Sequence, residues 1–207
     1  SFQESIEFTK QRLTNLPSLD IMFDLYRRKG GFPVFYTNEY TDDTVYKIVY
    51  DIYSSTILRD TVQRYHIRDI ELLERVIKFA VDNIGHTFSA NSIVKYFKSQ
   101  QRTIDVNTIH NYLQALESSF LLYKVNRYDI RGKEVLKTQE KYFPGDFSFI
   151  YALFGLKESH IPGILETMVF LEVKRRGYHI YIGKIGNTEV DFVAEKTDHK
   201  FYIQVCY

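Results

Sequence analysis

The chain has 207 residues, enough for one large or two small domains with real cores, and 44% of them are apolar. A formal net charge of +1 and a single cysteine exclude a globally basic nucleic-acid binder, an internal disulfide and a cysteine-rich zinc site. No apolar run approaches the length of a membrane span and no signal peptide opens the chain, so the expectation is a cytoplasmic protein with no membrane partner.

Residues 4–13 and 18–29 read as two helices parted by Leu16-Pro17-Ser18, since a proline holds its predecessor extended. Arg27-Arg28-Lys29 suits the second helix's C-terminal dipole, and Gly30-Gly31-Phe32-Pro33 stops it. A third helical stretch, Asp42 to Arg59, places Val45, Ile48, Val49 and Ile52 at helical spacing. Arg59, Arg64 and Arg68 follow; they are candidates to reach a nucleotide on a neighbouring domain, against pairing with Asp60 and Asp69.

From Ile67 to Lys141 the pattern is that of a winged helix. Asp69–Val81 has Ile70, Leu73, Val76, Ile77 and Ala80 on one face. Ser89 caps a second helix carrying Ile93, Val94 and Phe97, and Asp105 or Asn107 caps a third with Ile109, Tyr112, Leu113 and Leu116. Leu121–Tyr128 and Glu134–Tyr142 form a β-ribbon around Arg131-Gly132-Lys133. In such a motif the third helix enters a DNA major groove. Lys95, Lys98, Arg102, Asn107, Thr108, His110, Asn111, Arg127, Arg131, Lys133 and Lys137 are the residues expected to face a phosphate backbone. The plain alternative is a solvated surface on a protein-interaction module.

An aromatic segment, Phe147–Gly155, leads to a last module that begins at Pro162-Gly163. There a helix carries Glu166, and short strands follow at Tyr178–Ile182, Glu189–Ala194 and Phe201–Tyr207. This order resembles the PD-(D/E)xK nuclease core, in which a helix Glu, a strand Asp and a following Glu-x-Lys gather around Mg²⁺. Glu166 and Asp191 fill the first two places, and are the residues a metal would use. Gln204 and Cys206 stand where the Glu and Lys of the triplet belong. A neutral ligand and an uncharged thiol remove the hard anionic and cationic groups that phosphodiester cleavage needs. Three readings stay open: a purely structural pair, a weak nuclease helped by Glu189 or Lys184, and a remnant that only binds. Cys206, flanked by Val205 and Tyr207, reads as packed and inert. None of the six histidines has metal-ligand spacing.

The chain as a whole resembles the C-terminal half of bacterial and archaeal AAA-type ATPases (AAA+ superfamily), in which a domain of unknown function follows the ATPase core. The resemblance rests on Gly30-Gly31-Phe32-Pro33, Arg59-Asp60 to Arg64, Asn83-Ile84-Gly85, Thr108 to Leu113, Arg127 to Ile130, Lys141-Tyr142-Phe143 with Asp146, Gly163 to Glu166, Arg175 to Tyr178, Glu189 to Ala194 and Tyr202 to Val205. It implies an α/β (α+β) fold: a helical lid remnant over 1–66, a winged helix-turn-helix over 67–146, and a truncated restriction-endonuclease-like module over 147–207. No Gly-x-x-x-x-Gly-Lys-Ser/Thr loop is present, so no cofactor is expected in this segment. ATP and Mg²⁺ are expected only for an upstream domain. The opening without Met and the close inside an apolar strand read as part of a longer protein. The functional expectation is a non-catalytic, DNA-binding half of such an ATPase. The alternatives are a metal-dependent nuclease with a weakened site and a protein-interaction or regulatory module.

Overall fold

The computed structural model describes residues 1–155 and 157–206, with the side chains of Thr56, Ile57, Lys137 and Thr138 outside that description. The fold is α+β. The helices are α1 (Phe2–Arg12), α2 (Leu19–Lys29), α3 (Val34–Thr37), α4 (Asp42–Asp51), α5 (Arg59–Arg64), α6 (Ile70–Asp82), α7 (Ala90–Ser99), α8 (Val106–Ser118), α9 (Ser148–Phe154) and α10 (Ile161–Arg175). The strands are β1 (Leu122–Asp129), β2 (Glu134–Pro144), β3 (His179–Ile185), β4 (Thr188–Lys196) and β5 (His199–Ile203). No helix among the described residues is long and apolar enough to cross a membrane.

The helix starts follow from their caps. Ser18 accepts from Ile21 N–H, Asp69 from Leu72 N–H, and Ser89 from Ser92 N–H. Asp105 rather than Asn107 caps α8, through Asn107 N–H at 2.7 Å. The stretch expected as one helix from Asp42 to Arg59 is broken by a π-helical segment, Ile52–Leu58. Val45, Val49 and Tyr53, all buried, recur at four-residue intervals, and a locally wider turn keeps them on one face. Ile70, expected in the stripe of α6, is 44% exposed; Leu72 takes the buried place.

The β-ribbon is not a free wing. The five strands form one sheet in the order β2-β1-β3-β4-β5. β1 pairs antiparallel with β2 on one side and parallel with β3 on the other, through Arg127↔Ile182, Tyr128↔Gly183 and Asp129↔Lys184. One sheet thus crosses the boundary expected at residue 146. One hydrophobic core also joins all three expected parts, with Tyr26, Val49, Leu73, Phe143 and Phe192 in the same cluster. Phe143 stacks on Phe170 of α10 (4.7 Å between centroids) and Phe88 on Tyr142 (4.8 Å). These ring pairs fasten the ribbon to the helices on either side.

Asp146 fastens the N-terminal helices to the same centre. Its buried carboxylate accepts from Gly31 N–H at 2.8 Å, Ser148 N–H at 2.9 Å and Ser148 Oγ at 2.6 Å. Gly30, at φ +85°, passes so close that a Cβ there would lie 2.3 Å from Asp146 Oδ1. Only glycine fits both the dihedral and the space.

β5 is shorter than the expected Phe201–Tyr207. The Val205 N–H donates to Asp191 Oδ2 at 2.7 Å, so the side chain captures the backbone and the ladder ends at Ile203.

Candidate functional site

The sheet and α10 bring together the acidic residues singled out in the sequence, and add a lysine to them. Lys141, in β2, faces inward and is 1% exposed. Its Nζ lies 3.0 Å from Glu166 Oε2 on α10 and 2.7 Å from Glu189 Oε1 on β4. Asp191, two residues along β4 from Glu189, is also buried and accepts from Gln204 Nε2 and Val205 N–H, each at 2.7 Å. On its fourth side the cluster is closed by Gly85, where a Cβ would come within 3.2 Å of Glu166 Oε1. That glycine has φ +83°, so the turn after α6 can press its backbone against the carboxylate.

The electrostatics follow from this packing. Burial would pull the Lys141 ammonium down, but Glu166 and Glu189 outweigh it and hold it above its ordinary value. Burial pushes the Glu166 carboxyl up; Lys141 opposes this, while Asp191 and Glu189 add to it. Two carboxylates sharing one ammonium leave the group ionised at neutral pH. The Nζ places a single positive charge between Glu166 and Glu189.

As placed, these residues do not fit a metal ion. Glu166 is committed to Lys141, and Asp191 to Gln204 and Val205. No group of three or more His, Cys, Asp or Glu side chains among the described residues is set to hold one. Glu166 is in a salt bridge with Lys141, and Asp191 in hydrogen bonds with Gln204 and Val205. Gln204 acts as a donor to Asp191, and Cys206 lies beyond the end of β5 and is exposed rather than packed. Lys141 was visible in the sequence only as part of a motif. Its signal was a lysine at an inward position of an otherwise apolar strand end, opposite the buried Val125.

The candidate nucleic-acid residues divide into two sets. Lys95 and Lys98 on α7, and Asn107, His110 and Asn111 on α8, are exposed, with Thr108 half-buried. Arg131 and Lys133 are exposed at the ribbon turn, which Asp129 folds by accepting from Arg131 N–H (3.0 Å) and Gly132 N–H (3.1 Å). The turn is anchored by Ile130 N–H donating to Lys184 O at 2.9 Å. Arg102 and Arg127 have partners within the chain. Arg102 pairs with Asp69 at 2.8 Å and Glu71 at 3.6 Å, bracing the start of α6. Arg127 donates to Gln139 across the ribbon at 2.7 Å. Lys137 has its side chain outside the described residues.

Of the three candidate arginines near α5, Arg64 pairs with Asp60 at 3.8 Å, while Asp69 is taken by Arg102.

A family described as "Domain of unknown function (DUF8612)" matches residues 22–160, from α2 to the turn before α10. An "Uncharacterized protein" of Haemophilus influenzae is 36% identical over 190 residues, which is 91% of this chain and 47% of that protein. "Uncharacterized protein MJ1544" of Methanocaldococcus jannaschii is 27% identical over 219 residues, covering all of this chain and 48% of that protein. The chain thus spans about half the length of the curated relatives it matches. No solved structure matches it.

Proposed function

The chain belongs to the DUF8612 domain family, and we propose that its winged helix binds duplex DNA while its nuclease-like portion carries no cleavage chemistry. The observation that carries the reading is the division of α8 into two faces. Ile109, Tyr112, Leu113 and Leu116 are buried, and Asn107, His110 and Asn111 stand exposed on the other side. Amide side chains in the N-terminal half of such a helix can read base edges in a major groove. Lys95, Lys98, Arg131 and Lys133 supply phosphate contacts around it. The buried Lys141 supports the non-catalytic half of the proposal, because it occupies Glu166, one of the two carboxylates that a metal would need.

In the intact protein the proposal makes this segment the regulatory, DNA-binding half of an AAA-type ATPase, with ATP and Mg²⁺ held by another domain. The ordered motif resemblance and the doubled length of the relatives support it. Fluorescence anisotropy with random duplex tests the reading. Wild type should bind at low salt, and Asn107→Ala/Asn111→Ala should weaken binding without unfolding the chain. Equal affinity in both proteins would remove α8 from the interface.

A further inference from the structure

The far end of the sheet carries a surface that the winged-helix reading does not use. α10 closes on Lys174, Arg175 and Arg176, and Glu172 ties two of them down. Its carboxylate accepts from Arg175 Nε and Nη2 at 2.9 and 2.8 Å and from Arg176 Nε at 2.7 Å. One carboxylate holds two guanidiniums in place, yet their side chains remain 45% and 64% exposed.

Beside them stands a set of rings. Tyr178 meets Phe201 edge-on with centroids 5.8 Å apart, and His199 stacks on Phe201 at 6.2 Å. Phe201 is 49% exposed. Lys196 lies 5.7 Å above the Tyr178 ring and donates to Arg176 O at 3.2 Å. Tyr178 and Phe201 border a groove of about 830 Å³ between α10, β5 and the first two helices, with an apolar floor of Leu165, Met168, Val169 and Phe23.

Exposed rings interleaved with fixed cations, next to an apolar slot, match the needs of one ligand class. An unpaired base offers a π-face to an aromatic side chain, and its phosphates need cations within reach. A duplex hides those faces inside its own stack. The cations beside the rings are Arg175 and Arg176, bridged by Glu172, and Lys196 over Tyr178. We infer that the surface formed by Tyr178, Phe201, His199, Lys196 and the α10 arginines binds single-stranded nucleic acid, with a base seated at the mouth of the groove.

The inference stands apart from the duplex reading, and the two separate in one experiment. Full chain is titrated into labelled oligothymidylate of about a dozen nucleotides, within the site sizes of single-strand binders, at several salt concentrations. Wild type should bind with a steep salt dependence. Arg176→Ala/Lys196→Ala should flatten the slope of log affinity against log salt by about 1.4, the share of two phosphates on a single strand. Phe201→Leu, which keeps apolar bulk at an exposed site, should weaken binding by about fivefold or more, the lower range of one base–aromatic stack. No binding by wild type at low salt, or variant affinities equal to wild type, would overturn the inference. Loss of duplex binding in the α8 variant would leave it standing.

Discussion

The Nζ of Lys141 lies 3.0 Å from Glu166 Oε2, joining the ribbon of the winged helix to the helix that opens the terminal module. The two residues stand on opposite sides of the expected domain boundary at 146, and the lysine is buried. It ties α10 to the sheet and sets one ammonium between Glu166 and Glu189.

Lys141→Met should therefore destabilise the chain by about 3–5 kcal/mol at neutral pH, the cost of leaving a buried partner uncompensated. Glu166 already sits above its ordinary value through burial, and losing Lys141 removes the main opposing influence. A carboxyl raised in the folded state contributes stability below its unfolded value of 4.5 and loses it as pH rises through the folded value. The deficit, measured by urea denaturation, should be smaller near pH 4.5 than at neutral pH. Adding Glu166→Gln should recover part of it. A deficit that does not vary with pH would mean Lys141 acts by packing alone.

Asp146→Ala leaves the half-buried Gly31 N–H and the buried Ser148 N–H without their acceptor. About 3 kcal/mol or more should be lost. Gly30→Ala should also be destabilising, since it forces φ +85° on a residue with a Cβ and places that atom against Asp146 and Ser148. Thermal melts of the two variants check both outcomes.

Hydrogen bonds from Arg175, then Arg176, hold the Glu172 carboxyl down at about 2, against burial acting the other way. Its contribution to stability is present above the unfolded value of 4.5 and is lost as pH falls toward about 2. Partial exposure limits that contribution to about 1 kcal/mol. In Arg175→Ala, an NMR titration should find the carboxyl raised toward its ordinary value. An unchanged midpoint would show that the two arginines are not held as described.

Much of this architecture was legible in the sequence, and the reasons it stopped being legible are physical. The caps at Ser89 and Asp105 and the stripe through Ile109, Tyr112, Leu113 and Leu116 are local, so periodicity and cap chemistry found them. The parallel pairing of β1 with β3 joins residues more than fifty positions apart and leaves no local pattern. The role of Lys141 depends on that pairing, and so was hidden with it. β5 misled for another reason: Gln204 and Val205 continue an alternating apolar run, but the Asp191 side chain captures the Val205 N–H. The partners of Arg102 and Arg127 stayed hidden because a basic residue on a turn or ribbon does not reveal its carboxylate or amide partner.

Plasmid incubated with wild type and Mg²⁺ or Mn²⁺ should remain supercoiled, because Glu166 and Asp191 are already committed to partners within the chain. Nicking that disappears in Asp191→Ala would establish a metal-dependent nuclease and contradict the non-catalytic reading.

The most direct test of the central proposal is the salt dependence of duplex binding by wild type and by Arg131→Ala/Lys133→Ala. Both side chains are exposed on a turn anchored to β3, so the substitutions should leave the fold intact. If the ribbon turn contacts two phosphates, the slope of log affinity against log salt should flatten by about 1.8 in the variant. Parallel slopes, or no duplex binding by wild type at low salt, would contradict the account.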